Sequence, residues 1–467
     1  MSKSYTHFTA ILFFACVLPV AALAPARAMG PNMMINSGFE GGSQQYGLQG
    51  AFKIVENPAN AHSGLWEMEA DLAKSYGDAS QSVACWKNTG YTTSVWYKGS
   101  GSVTFEVQGS DWKTELARTV LVASPRWRQA TLTWNSGDFS KAIVRLEDSA
   151  GAGTMFLDDF STGLTDGRTI DFDAADPGRS SPKFHLVFDD EFDSDKTIDM
   201  ADTGAGGYQW YLKSFFSRVF DAKPSMFSVA GGALTFTDAA DPFSDVLQTA
   251  CPARNSLGYI GTVFSGGRGL YAVARIACEN LDKIQRDGWP GWWCFDMKGE
   301  TGKDEAMPGN PGKIEYIEND FMEYNPTWGQ PEDWYSTMHD WGSDKQNIGN
   351  SNATIAAPAG TDYTQYHAYG MLWVPASPEN GWHGYRQAFF DGIPEQAVCW
   401  LGDQTYKGAF PATAESMDSD LYSLMDHDKF MLILGSCQGG FASMKVDYVR
   451  VYAVDKSSMT VVAPPAR

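Results

Sequence analysis

The chain lacks the positive charge that a polyanion would need. Its 35 Lys and Arg stand against 56 Asp and Glu, a formal charge of -21, and a surface of that sign repels nucleic acid, anionic lipid and sulfated polysaccharide alike. Neutral polymers meet no such barrier. Cysteine and histidine are also sparse, at 7 each, and no Cys-x-x-Cys pair or closely spaced histidines occur, so a zinc site or a redox dithiol has little support. Helical periodicity is scarce, and beyond the N-terminus no apolar stretch is long enough to span a bilayer.

The first 28 residues have the pattern of an export signal. Lys3 and His7 precede an apolar run from Phe8 to Ala24, interrupted by Pro19, and Ala26-Arg27-Ala28 follows; cleavage is expected near Met29. Cys16 lies inside that run. The six cysteines beyond it (Cys85, Cys251, Cys278, Cys294, Cys399 and Cys437) are an even number, compatible with disulfides in an oxidising compartment. The expectation is a secreted or periplasmic monomer with neither a membrane nor a nucleic-acid partner.

Short alternating runs bounded by Gly, Asn, Asp and Pro recur throughout, the signature of sandwiches and barrels. In Ser102 to Gln108, for example, Val103, Phe105 and Val107 fall on one face and Thr104, Glu106 and Gln108 on the other. An all-β fold of the sandwich or barrel kind follows. The stretch 164–183 has few large apolar residues and many Gly, Pro, Asp and Ser, and reads as a linker. It separates 31–163 from 184–454, with 455–467 as a C-terminal tail.

Aromatic residues make up 13% of the chain, including 16 Trp, and such rings cover the flat C–H faces of sugars as readily as they fill cores. The first segment opens with Asn32-Met33-Met34-Ile35-Asn36-Ser37-Gly38-Phe39-Glu40 and closes with Met155-Phe156-Leu157-Asp158-Asp159-Phe160, with Tyr91-Thr92-Thr93-Ser94-Val95-Trp96-Tyr97-Lys98-Gly99 between them. This order resembles jelly-roll carbohydrate-binding modules of the cellulose- and xylan-binding type. The resemblance implies exposed stacking aromatics, for which Trp66, Trp86, Trp96 and Trp112 are the candidates, each with core packing as its alternative.

The chemistry concentrates in Glu315-Tyr316-Ile317-Glu318-Asn319-Asp320-Phe321-Met322-Glu323-Tyr324. On a regular strand Glu318, Asp320 and Met322 would share a face and Glu323 would oppose them, so Glu323 joins the other acids only across a β-bulge. Four regular steps separate the outer Cα atoms by roughly 13 Å. Two glutamate side chains leaning together close most of that gap, toward the ~5–5.5 Å between nucleophile and acid/base in a retaining glycosidase. Asp320 between them would hydrogen-bond the nucleophile and help keep the acid/base protonated, since like charges raise one another's pKa. A solvated acidic strand face is the alternative, and it fits poorly with acids that alternate with Ile, Phe, Met and Tyr and have no Lys or Arg between Ile314 and Tyr324.

Six motifs in order then resemble glycoside hydrolase family 16, the laminarinase and lichenase group, across essentially all of 184–454. They are Phe188-Asp189-Asp190-Glu191-Phe192, Gly269 to Arg275 (with Val273 where the family has Glu), Trp289-Pro290-Gly291-Trp292-Trp293, the acid strand itself, His367 to Trp373 with Asp391-Gly392, and Leu432 to Gly435 followed by Met444 to Tyr452. The resemblance implies a concanavalin-like sandwich with an open cleft, Glu318 as nucleophile, Asp320 as its assistant and Glu323 as acid/base. It points to Trp289, Trp293, His339 and Trp341 as substrate contacts. It implies no required cofactor, although some members hold a structural calcium through the position of Asp447. Residues 296–312 form an insertion relative to the family, either a cleft wall or a surface excursion.

The expected activity is retaining endo-hydrolysis of a neutral polysaccharide, β-1,3 or β-1,3-1,4 glucan. The alternatives are a β-galactan hydrolase of the agarase or carrageenase kind, a transglycosylase, and a non-catalytic carbohydrate-binding protein.

Overall fold

Strict alternation builds the N-terminal sandwich. Val103, Phe105 and Val107 are all fully buried, and they pack with Val144, Leu146, Met155 and Leu157 in one core. On the other face Glu106 is also buried, because Arg145 reaches over to it at 3.0 Å and to Asp78 at 3.3 Å. The computed structural model describes residues 32–43, 45–73, 76–148, 151–167, 172–181, 183–215, 223–236, 246–279, 289–297, 315–342, 347–358, 360–402, 426, 428–437, 444–454 and 459–462. The expected export signal and most of the 296–312 stretch lie outside them.

Among the described residues, two antiparallel five-stranded sheets face each other in the first unit. One runs in the order Gly47–Leu48, Asp78–Ala84, Lys141–Asp148, Val103–Gly109, Glu115–Leu121 and the other Phe52–Glu56, Trp66–Asp71, Thr154–Leu164, Gly90–Gly99, Ser124–Asn135. The second unit pairs an eight-stranded with an eleven-stranded sheet. Between them lies a large apolar core that includes Trp210, Trp292, Phe321, Met322, Trp334, Trp373 and Phe430. In the larger sheet the central order is Lys429–Cys437, Trp289–Asp296, Glu315–Glu323, Asp333–Gly342, Asn347–Ala356, which sets the acid strand in its middle. The all-β expectation holds: among the described residues, strands are interrupted by little more than the four-residue α-helix Pro177–Ser180 and a few 3-10 turns. No helix among the described residues is long and apolar enough to cross a membrane.

Three expectations need correction. The 164–183 stretch is not a loose spacer: Phe172 sits 4.7 Å from Phe184 and 5.1 Å from Tyr271, ring centre to ring centre, and Ala174 is buried in the same apolar cluster on the back of the smaller sheet. A few well-placed apolar side chains suffice to dock a polar segment. The C-terminal tail contributes Met459–Val462 as an edge strand on Tyr259–Ser265, which satisfies backbone groups that an open edge would leave unpaired. Finally, Cys85, Cys251, Cys278, Cys294 and Cys399 are free thiols. The first four are buried, and burial pushes Cys85, Cys251 and Cys278 up to about 12, so these thiols serve as apolar filling.

The two sandwiches meet along a packed seam. Trp86 Nε1 donates to the Trp382 carbonyl, and Tyr91 lies 3.1 Å from His383 Nε2. A cavity of about 360 Å³ between them is lined in part by Met33, Gln81, Lys141, Cys399 and Trp400.

Candidate active site

The acid strand is bulged where its spacing requires. Against Trp289–Asp296 it pairs Asp320 with Trp293 and Met322 with Trp292, skipping Phe321, and Glu323 then pairs with Gly291. Against Asp333–Gly342 the register breaks between Asn319–Met338 and Glu323–Tyr335. Phe321 and Met322 both enter the core, so Glu323 returns to the face that carries Glu318 and Asp320. On the facing strand Trp334, Ser336 and Met338 are buried, while Tyr335, His339 and Trp341 keep solvent contact on the acids' side.

Each glutamate accepts an indole N–H. Trp341 Nε1 donates to Glu318 Oε2 at 2.8 Å, and Trp289 Nε1 donates to Glu323 Oε1 at 2.7 Å. Asp320 stands between, 3.2 Å from His339 Nε2, and Thr337 hydrogen-bonds Glu323. A carboxylate oxygen of Asp320, one of Glu323 and an imidazole nitrogen of His339 all lie within 4.8 Å of one another.

Burial dominates the electrostatics. It raises Glu318 well above the usual carboxylate range, with the charge of Asp320 adding to the effect and His339 and the Trp341 hydrogen bond opposing it. Burial raises Asp320 to about 8, with Arg386 drawing it back. Glu323 also rises to about 8, through burial and then Asp320, against His339, Trp289 and Thr337. Three carboxylates this close titrate as a unit and hold protons near neutrality. One ionised and one protonated carboxyl side by side is the arrangement that nucleophilic attack with proton donation needs.

The structure thus brings together Glu318, Asp320, Glu323, Trp289, His339 and Trp341. Trp293 lies on the same face but is only 4% exposed; it packs with Phe295, Met431 and Ile433, so it is no open platform for a sugar. Its neighbours in the next strands are large and apolar, a cross-strand environment that a local motif does not report. Asp447 lies on the other sheet, where it accepts from Arg275 Nη1 at 2.5 Å. Its carboxylate is already matched by a protein cation, and among the described residues it belongs to no group of three His, Cys, Asp or Glu side chains that could hold a metal ion.

Sequence reasoning missed Trp328, Thr337, Ser336 and Arg386. Trp328 is 39% exposed and stands edge-on to Trp289 at 4.5 Å between ring centres. Thr337 had a usable signal, since it precedes His339 by two on the same strand. Arg386 had none, coming from the opposite sheet.

No family model matches the chain. Among curated proteins it is similar to the endo-1,3-1,4-beta-glycanase EglC of Rhizobium meliloti (strain 1021), 24% identical over 260 residues, covering 54% of this chain and 44% of that protein. The chain therefore spans less than half the length of this relative. Similar solved structures include an endo-1,3-beta-glucanase from Streptomyces sioyaensis (17% identity, 58% of this chain and 97% of that one, TM-score 0.36) and the laminarinase catalytic domain from Thermotoga maritima MSB8 (16%, 58% and 98%, TM-score 0.34). TmCBM61 in complex with beta-1,4-galactotriose matches a smaller part (20%, 29% and 99%, TM-score 0.25). With three acids turned to one face by a bulged central strand, and with sequence likeness to a curated endo-glycanase, the C-terminal unit is like glycoside hydrolase family 16.

Proposed function

We propose that the protein is an exported, retaining endo-β-glycosidase that cleaves a neutral β-1,3 or β-1,3-1,4 glucan. The observation that carries this reading is the bulge at Phe321-Met322, which sets Glu318, Asp320 and Glu323 on one face while Trp341 and Trp289 hold the two glutamates.

In this reading Glu318 attacks the anomeric carbon as Glu323 gives its proton to the departing glycosidic oxygen. A covalent glycosyl-enzyme forms, and Glu323, now ionised, takes a proton from the water that hydrolyses it. The proton that burial keeps on Glu323 near neutral pH is the one the first step spends. Asp320, 3.2 Å from His339 Nε2, stands between the two glutamates and shares in their titration. The half-buried ring of Trp289 and the exposed ring of Trp328 offer apolar faces to sugar beside Glu323.

The test is hydrolysis of laminarin and mixed-linkage glucan, with agarose, carrageenan and other galactans as the comparison set. Release of internal fragments from glucan, with NMR showing the β-anomer first and Glu318→Ala losing the activity, is the expected result. Glu318→Ala at the wild-type rate would refute the assignment. Cleavage of galactan alone would move the substrate to the β-galactan class, and oligosaccharides longer than the starting material would reveal transfer to sugar.

A further inference from the structure

The interrupted ladder creates a requirement beneath the acids. Asp320, Phe321 and Met322 face Ser336 and Thr337 with no register between them, so the sheet does not pair their backbone groups in the regular way. These groups lie in the interior, where polar atoms without partners are costly.

Arg386 reaches this spot from the other sheet. It belongs to the strand His383–Phe390, is fully buried, and crosses the space between the sheets. Its Nη2 donates to the Ser336 carbonyl at 2.9 Å and its Nη1 to the Ser336 hydroxyl. Ser336 Oγ donates in turn to the Asp320 carbonyl at 2.8 Å. A guanidinium presents its donors in a rigid fork, so one side chain holds a hydroxyl and a carbonyl together. The hydroxyl accepts from the cation and directs its single proton to Asp320. Burying a cation is expensive, and an aliphatic residue would fill the same volume more cheaply.

We propose that Arg386 is a positioning residue for the acid cluster: through Ser336 it fixes the bulged backbone at Asp320 and places a permanent positive charge under the carboxylates. The proposal rests on the reading of that cluster as catalytic. The groups facing Asp320 are Glu318 and Glu323 on its own strand, His339 on one neighbour, the Cys294 thiol on the other, and Arg386 from the opposite sheet. Among them only the guanidinium carries a charge that does not change across the working pH range.

The experiment compares Arg386→Met, Arg386→Lys and Ser336→Ala with wild type, reading kcat and KM on the preferred glucan and the Asp320 carboxyl titration by 13C NMR. Arg386→Met is expected to lose roughly 10- to 100-fold in kcat with little change in KM, and to move the Asp320 titration upward by about one pH unit. Arg386→Lys should restore the titration but only part of kcat, because it returns the charge without the fork. Ser336→Ala should lower kcat and leave the titration in place. Wild-type kcat in Arg386→Met, or a loss of thermal stability with kcat and titration unchanged, would overturn the proposal. If Arg386→Met does not fold, unchanged kcat in Ser336→Ala overturns it. The titration needs no substrate, so a wild type that cuts no glycan yet shows the Arg386-dependent shift would fail the functional reading and keep the contact.

Discussion

Phe321 and Met322 are neighbours in the chain, and both side chains point into the same core without solvent exposure. A regular strand sends successive side chains to opposite faces, so this pair is the irregularity itself. One additional inward residue shifts the phase of everything after it, and the first residue after it is Glu323. The core therefore helps to aim the acid: the apolar volume that accepts two consecutive side chains keeps the strand bulged.

Deleting Met322 should leave all three acids on the cleft face, because Glu318, Asp320 and Glu323 would then alternate regularly. The variant is expected to retain measurable activity while losing about 2–5 kcal/mol of stability for the missing core side chain. Inserting an alanine between Met322 and Glu323 should instead turn Glu323 inward and reduce kcat by about 10²- to 10⁴-fold, the usual loss with a general acid. Equal activities of the two variants, measured by reducing-end release and urea unfolding, would contradict the phase argument.

Replacing either indole donor by phenylalanine should shift one limb of the pH–rate profile. Trp341 stabilises ionised Glu318 and Trp289 stabilises ionised Glu323, so losing either hydrogen bond raises the pKa of its partner. Trp341→Phe should move the acid limb of kcat/KM upward, since the nucleophile must be ionised. Trp289→Phe should move the alkaline limb upward, since the proton donor holds its proton longer. A hydrogen bond to a charged group is worth about 1.5–3 kcal/mol, or roughly one to two pH units. Limbs that stay in place in both variants would show that the indoles serve only as packing.

What the sequence made legible depended on range. The acid strand, its bulge and the aromatic flanks are local, and the period of two is enough to foresee that Glu318 and Glu323 need an extra residue between them. The Arg386–Ser336–Asp320 chain joins residues 50 and 16 positions apart and passes through the space between two sheets, so no local pattern encodes it. Trp293 illustrates the reverse failure. Its motif is plain, but its burial is decided by Met431 and Ile433 on a strand that arrives more than a hundred residues later. The docking of Phe172 and the pairing of Met459–Val462 likewise depend on surfaces built elsewhere in the chain.

Burial of the acid cluster should make stability decline as pH rises. The folded state keeps protons on Asp320 and Glu323 up to about 8, whereas unfolded Asp and Glu release theirs near 3.8 and 4.5. Between these limits the folded state binds more protons than the unfolded one, so the contribution is full below about pH 4 and lost through pH 8. Glu323→Gln removes one such group, and its melting temperature relative to wild type should climb from pH 5 to pH 8, by on the order of 5 °C. A constant difference across that range would mean that Glu323 is ionised in the folded protein throughout.

The seam between the sandwiches should respond to acid in the opposite sense. His383 Nδ1 donates to the Gly381 carbonyl at 2.8 Å, its Nε2 accepts from the Tyr91 hydroxyl, and that hydroxyl accepts from the Trp86 N–H at 2.8 Å. This chain of bonds requires a neutral imidazole, and burial holds its pKa down to about 4, from 6.5. Between those values the unfolded state binds the proton and the folded state does not, so the contribution is intact above pH 6.5 and lost as pH falls through 4. Tyr91→Phe leaves the Trp86 N–H and His383 Nε2 without the shared hydroxyl and should cost about 1–3 kcal/mol. At neutral pH trypsin should then cut faster at Arg179, which is exposed in the segment between the sandwiches. In wild type the radius of gyration from small-angle X-ray scattering should increase between pH 7 and pH 4 as the seam loosens. An unchanged radius together with wild-type cleavage kinetics in Tyr91→Phe would show that the sandwiches are held together by apolar contact and that His383 has no part in it.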